Sequence, residues 1–181
     1  MAQAPWAPTE QVKTYPITGK SGIELYSSVG EHGPEVGRHV RAIGHTNFKL
    51  TWTRRYDPQP DGACVLSVAR PRLIITYTLP RPSRPLAPEL DARWKPFISG
   101  VRLHEEQHGK MIVSMVKAIE AYSLGLKAEN DPKCAKIRTV LTAKLGELSR
   151  AQQQQSRDFD KVELSPGGNV HQLILKLVNE R

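Results

Sequence analysis

Four prolines stand among residues 80–88, in the stretch PRPSRPLAP, and they divide the chain into two parts of different character. Proline lacks a backbone N–H, so it interrupts both helices and inner strands. The residues before this stretch carry strand and turn signals, whereas nearly all of those after it follow the period of helices. This order predicts an α+β fold in which an N-terminal sheet precedes the helices.

The first part of the chain predicts an antiparallel sheet. NFKLTWT (47–53) alternates apolar and polar residues, which is typical of a half-buried strand. YDPQPDG (56–62) is turn-forming, and the β-branched stretch 63–80 then predicts two strands or one long bent strand. An edge strand at 15–19 and a short helix at 21–34 are expected before them.

The second part predicts two long antiparallel helices and a short one. The first extends over roughly 89–124 and bends or breaks early at Pro96. The second opens with Asp131 as its N-cap, has proline at its first position, and extends to about residue 157. A short helix over 169–180 follows the SPGG loop.

Size and composition predict one folded domain over 13–181, preceded by a flexible N-terminus, 1–12. With 181 residues and 39% hydrophobic content, the chain is long enough to bury a core. No apolar run approaches the roughly 18 residues that a membrane span needs. The net charge of +8 could attract an anionic partner. The basic residues are scattered, however, so a solvated basic surface is expected and nucleic-acid binding is not.

Two histidines continue the apolar stripe of the first long helix. Steps of three and four residues from Val101 reach His104 and His108 before Met111. Both imidazoles should therefore point toward the core, one turn apart, where they could bind one metal ion.

Glu105 completes an HExxH motif between these histidines. Its carboxylate should lie beside the metal, where it could accept a proton from water as a general base. The alternative is a pair of core histidines that are hydrogen bonded to the sheet. Two buried imidazoles at ligand spacing favour a metal, because leaving both without partners would be costly.

A catalytic zinc needs a third protein ligand and an open position. The extended metzincin spacing is excluded, because Met111 and Ser114 stand where it requires glycine and histidine. A turn near residue 128 would bring Glu147 of the second helix level with the histidines, although an exposed carboxylate is the simpler interpretation of that residue. Three more candidates are expected in a loop and helix start farther on: Asp160, Glu163 and His171.

The two cysteines, Cys64 and Cys134, lie 70 positions apart and lack the spacing of a zinc site or a redox motif. They are either free thiols or one long-range disulfide, and the disulfide is favoured if the protein is exported. No signal peptide is visible, and AQAPWAPTEQ reads like the start of a mature exported chain.

The order of several motifs resembles the DUF922 family of bacterial proteins, which are predicted to be secreted or periplasmic zinc-dependent proteases. The matching segments are YPITG, GIELYSSVGEHGP, LTWTRRY, a cysteine opening the next strand, YTLP, a tryptophan before the helix, and HEEQHGKM. The resemblance covers residues 13 to about 172. It implies a zincin-like fold, one zinc per chain on His104 and His108, Glu105 as general base, and a Cys64–Cys134 disulfide.

The family pattern departs from this chain at the third ligand. The family shows a tyrosine-aspartate pair, then a threonine and a histidine-glycine whose histidine would be that ligand. This chain has Phe159 and Asp160 at the pair, Glu163 at the threonine and Ser165 at the histidine. The resemblance therefore leaves His171 or a carboxylate, Glu163 or Asp160, to replace it.

Together these features predict a periplasmic or secreted zinc metallopeptidase that hydrolyses a peptide or protein substrate. The alternative is an envelope protein that keeps the zincin-like fold as a binding module without catalysis.

Overall fold

The computed structural model describes residues 5–179 and has a mixed α+β fold, as the sequence predicts. Strands are concentrated in the first part of the chain and helices in the second. In chain order the elements are β1 (Thr9–Ile17), α1 (Gly22–His32), β2 (His45–Pro58), β3 (Cys64–Pro82), α2 (Pro88–Ser123), β4 (Lys127–Ala128), α3 (Lys136–Leu164) and α4 (Asn169–Val178). The zincin-like detail of this fold stays a prediction.

The sheet has the strand order β1-β3-β2, and the short strand β4 pairs antiparallel with β3. The stretch predicted as two strands or one bent strand is a single strand, β3. The predicted edge strand is β1, but it begins at Thr9. Residues 9–12 are therefore part of the sheet, which corrects the flexible N-terminus expected over 1–12. The sequence pattern missed them because nearly all of β1 is exposed and lacks alternation. Residues 1–4 lie outside the described part.

Helix α3 begins and ends later than predicted. The carboxylate of Asp131 accepts hydrogen bonds from the N–H groups of Ala135 and Ile137 at 2.8 and 2.9 Å, so this residue does cap the helix start. The chain first makes a turn, in which Cys134 has a φ of 54°, and the helix begins only at Lys136. It then continues through Gly146 to Leu164, because no proline interrupts it before Pro166.

The other helices follow the prediction closely. Pro88 is the first residue of α2, and the helix continues through Pro96 to Ser123. The hydroxyl of Ser21 accepts the N–H of Glu24 and caps α1. Helix α4 ends at Val178, and residue 180 of its predicted range lies outside the described residues. No helix in the described range is long and apolar enough to cross a membrane.

The chain divides into two compact units, and several elements contribute residues to both. Unit 1 comprises the described residues of Met1–Thr9, Lys49–Ile74 and Lys110–Ser156. Its buried core contains the Cys64–Cys134 disulfide, whose Cα atoms are 5.3 Å apart. Its apolar members are Leu66, Ala69, Ala128, Ile137 and Leu141.

Unit 2 comprises Glu10–Phe48, Ile75–Gly109 and the described residues of Arg157–Arg181. Its core is formed by side chains from β1, α1, β3, α2 and α4: Ile17, Leu25, Val29, Leu79, Leu90, Trp94, Phe97, Val101 and Leu177. All of the residues of the candidate metal centre belong to this unit. The single domain predicted over 13–181 stays a prediction.

Candidate metal centre

His104 and His108 lie one turn apart on the buried face of α2, as the apolar stripe predicts. They are only 8% and 9% exposed, and their Nε2 atoms are 3.2 Å apart. The two rings meet edge to face at a centroid distance of 4.9 Å. The HExxH spacing therefore directs both imidazoles to one point.

Asp160 supplies a third donor atom at that point. Its Oδ1 lies 3.0 Å from Nε2 of His104 and 2.8 Å from Nε2 of His108. Ligand atoms around a tetrahedral zinc with bonds of about 2.0–2.1 Å are separated by roughly 3.3 Å, so these spacings are close to what zinc requires. His104, His108 and Asp160 thus form a group that could hold a metal ion. The side chain of Asp160 remains 43% exposed, which leaves the group open to solvent on one side.

Glu163 follows Asp160 by nearly one helical turn and approaches the other nitrogen of His104. Its Oε2 lies 3.5 Å from the buried Nδ1 of that ring. An imidazole that binds a metal through one nitrogen commonly directs its other nitrogen toward a carboxylate or carbonyl. The placement of Glu163 therefore suits it to orienting His104, rather than to being the third ligand considered from the sequence.

Phe159 packs against both histidines. Its ring stacks on His104 at 4.8 Å with an interplanar angle of 17°, and it meets the His108 ring edge to face at 5.4 Å. This contact is not predicted from the sequence, because the predicted second helix ends at about residue 157 and leaves Phe159 and Asp160 beyond it. They are on α3, which extends seven residues beyond its predicted end. The aromatic ring limits the rotation of both imidazoles.

Glu105 lies beside this group and is 5% exposed. The hydroxyl of Thr46, at the start of β2, donates to its Oε2 at 2.6 Å. Gly44 approaches the same carboxylate so closely that a Cβ at that position would lie 2.7 Å from Oε1. The backbone at Gly44 and the Thr46 hydroxyl together fix Glu105. Neither residue is predicted from the sequence, since no spacing connects Gly44 or Thr46 to the motif.

Burial and the neighbouring charged groups shift the pKa values of Asp160 and His104 in opposite directions. Burial raises the pKa of Asp160, but hydrogen bonds from His104 and His108 outweigh it and hold that pKa far below its usual value. Burial likewise lowers the pKa of His104, yet its hydrogen bond to Asp160 and the charge of Glu105 raise it overall. The candidate metal centre therefore favours the ionised form of Asp160 next to positive charge. A bound cation would supply such a charge.

Two sequence candidates are not part of the group. Glu147 is exposed and pairs with Lys144 at 2.7 Å. The prediction that it lies level with the histidines is wrong, because the α3 residue that contacts both of them is Asp160, 13 positions later. The Nδ1 of His171, on α4, accepts the N–H of Gly167 at 3.3 Å.

Comparison with known protein families shows a match over most of the chain. Residues 12–168 match the sequence model of a family described as "Bacterial protein of unknown function (DUF922)". No curated protein and no solved structure matches the chain. The matched range agrees with the motifs that resemble this family and includes His104, Glu105, His108 and Asp160.

Proposed function

The chain belongs to the DUF922 family, and we propose that it is a zinc-dependent metallopeptidase that acts in the periplasm or outside the cell. The convergence of Nε2 of His104, Nε2 of His108 and Oδ1 of Asp160 carries this proposal. Two imidazoles and one carboxylate with an open fourth position are a donor set that catalytic zinc uses.

The proposed chemistry is hydrolysis of a peptide bond. When bound, zinc supplies Lewis acidity, which makes water a stronger acid and a carbonyl a better electrophile. Glu105 accepts the proton of the attacking water on its carboxylate and then donates it to the leaving amine. Thr46 holds that carboxylate through Oε2, which fixes its orientation toward the reacting atoms. Burial of Glu105 strengthens its electrostatic interactions with those atoms.

The location of the protein is proposed from its disulfide. The Cys64–Cys134 bond fits an extracytoplasmic location, because disulfides persist mainly in oxidising compartments. The bacterial family is compatible with that location. We propose that the protein is either periplasmic or secreted.

The test of this function compares wild type with Glu105→Gln on a broad peptide library. We expect zinc-dependent cleavage by the wild type and a loss of at least 100-fold in kcat for Glu105→Gln, with its zinc content unchanged. Glu106→Gln is the matched control. Glu106 is the next residue of the same helix, but its carboxylate pairs with Arg102 at 2.8 Å instead of lying beside the histidines. Cleavage that is equal in wild type and Glu105→Gln would contradict the assigned role of Glu105.

The distribution of charge favours a second candidate, a binding module for an anionic partner. Unit 1 contains 13 lysines and arginines against 6 aspartates and glutamates, whereas unit 2 contains 13 against 12. Nearly all of the net charge of +8 therefore belongs to unit 1. An anionic ligand would then be held by residues other than those of the metal centre.

A further inference from the structure

A cleft of about 230 Å³ opens in unit 2 beside the candidate metal centre, and both His104 and Glu105 line it. Most of its remaining wall is apolar. The apolar side chains come from the segment before β2, from α2, from the end of α3 and from α4: Ala42, Ile43, Val101, Leu164, Val170 and Ile174.

The charged groups in the wall are already paired. Arg41 donates to the carbonyl oxygen of Gly33 at 2.7 Å and to the carboxylate of Glu35 at 3.1 Å. The carboxylate of Glu105 accepts the Thr46 hydroxyl. Tyr26 also lines the cleft and adds a neutral hydroxyl. A charged group entering the cleft would lose water and would meet no oppositely charged group that is not already paired, which costs free energy. The cleft therefore favours an apolar occupant.

The volume limits that occupant to about one side chain. A dry apolar cavity of about 150 Å³ is known to hold a benzene molecule, whereas whole drug-sized ligands need pockets of roughly 300 Å³ or more. A cleft of 230 Å³ lies between these sizes. A leucine or phenylalanine side chain would fit it, and a larger part of a peptide would not.

We propose that this cleft holds one leucine-sized or phenylalanine-sized side chain of the polypeptide that is bound at the metal centre. The inference rests on the proposed function and names its substrate class. Leu164 is the residue that an occupant would cover, because its side chain lies in the wall and yet is 49% exposed. Covering it would remove apolar surface from water on both partners.

The experiment measures the affinity of four N-acetyl amino-acid hydroxamates for the zinc-loaded protein. The hydroxamate binds zinc in every case, and only the side chain differs: glycine, leucine, phenylalanine or aspartate. We expect the leucine and phenylalanine compounds to bind about tenfold or more tighter than the glycine compound, as burial of one such side chain implies. The aspartate compound should show no gain.

Leu164→Lys tests the assignment to this cleft, with Val162→Lys as its matched control. Both residues are exposed apolar residues on α3, and Val162, which is 67% exposed, does not line the cleft. We expect Leu164→Lys to abolish the preference for leucine over glycine and Val162→Lys to retain it. Circular dichroism would establish that both variants remain folded.

The outcomes separate this inference from the proposed function. Zinc-dependent binding of all four compounds with equal affinity would overturn the cleft assignment and leave the metal centre in place. Failure of every compound to bind would contradict the metal centre. The cleft would then be tested with N-acetyl-leucine amide and N-acetyl-glycine amide by NMR titration of the zinc-free protein. Equal shifts with both amides would overturn the inference, whereas a leucine preference lost in Leu164→Lys would support it.

Discussion

Two carboxylates on one turn of α3 approach opposite nitrogens of the same imidazole. Asp160 contacts Nε2 of His104, and Glu163 lies 3.5 Å from Nδ1. One residue is thus placed to bind a metal and the other to orient the ligand. Sequence spacing alone could not distinguish these roles, because both residues were equal candidates.

Glu163→Gln should weaken zinc binding without abolishing it. Loss of an outer partner of a metal-binding histidine typically lowers metal affinity by about 10–100-fold, because the ring is less well oriented and less basic. A competition titration with a zinc chelator would measure this change. Glu147→Gln is the control, since Glu147 is exposed on the same helix and contacts Lys144. Equal affinity in Glu163→Gln and wild type would contradict the orienting role.

Thr46→Val should lower kcat by about tenfold while KM changes little, because the Glu105 carboxylate loses the hydroxyl that orients it. Thr46→Ser keeps the hydroxyl and should restore most of the activity. Steady-state peptide cleavage by the three proteins would measure the effect. If Thr46→Val cleaves as fast as wild type, this hydrogen bond has no part in positioning Glu105.

Of the two long helices, the sequence predicts the bounds of α2 well and those of α3 poorly. The stripe of α2 is strongly periodic, so it correctly places His104 and His108 on the buried face. The later part of α3 is rich in glutamine and charged residues and mostly exposed, so periodicity does not reveal where it ends. The start of α3 is delayed by a turn in which Cys134 has a φ of 54°, and a cysteine is not a residue type that marks such a turn in a sequence. Because the predicted helix ends at about residue 157, Asp160 falls outside it and its place beside the histidines is not predicted.

The start of α3 should become less stable in acid. Burial raises the pKa of Asp131, but hydrogen bonds from the N–H groups of Ile137, Lys136 and Ala135 lower it overall. A carboxylate whose pKa is lower in the folded state stabilises the fold at pH values above the pKa of the unfolded state, about 3.9. This contribution is lost as the pH falls through the pKa of the folded state.

Asp131→Asn removes that titration while keeping an acceptor for one N–H group. We expect it to lower the midpoint of urea unfolding at pH 7, and to make the loss of stability between pH 5 and pH 3 smaller than in wild type. Glu147→Gln is a control on an exposed carboxylate of the same helix, which pairs with Lys144 rather than with backbone N–H groups. An identical acid dependence in wild type and Asp131→Asn would contradict the capping role.

At the scale of the whole molecule, charge and candidate chemistry belong to different parts of the chain. Unit 2 contains the metal centre and is nearly neutral, whereas unit 1 has an excess of seven positive charges. Composition alone could not reveal this division, because the two units are each assembled from three separate stretches of sequence.

Binding to heparin, used as a model polyanion, should therefore weaken steeply between 50 and 200 mM salt, roughly in proportion to the number of ion contacts. It should be unchanged in Glu105→Gln and after zinc removal. The salt concentration at which the protein elutes from a heparin column would measure this binding. A variant with both Lys136→Glu and Arg138→Glu, in unit 1, should elute at lower salt than the wild type. Arg102→Glu, in unit 2, should change the elution salt less. Retention that is insensitive to the unit 1 variant would contradict the assignment of the charge.

Elemental analysis of untagged protein after zinc addition and dialysis tests whether His104, His108 and Asp160 bind one zinc ion. We predict about one zinc per chain in the wild type and in Glu147→Ala, and less than a tenth of that in His104→Ala and Asp160→Ala. A wild type that retains no zinc, or an Asp160→Ala variant that retains it fully, would show that these three residues are not the zinc ligands.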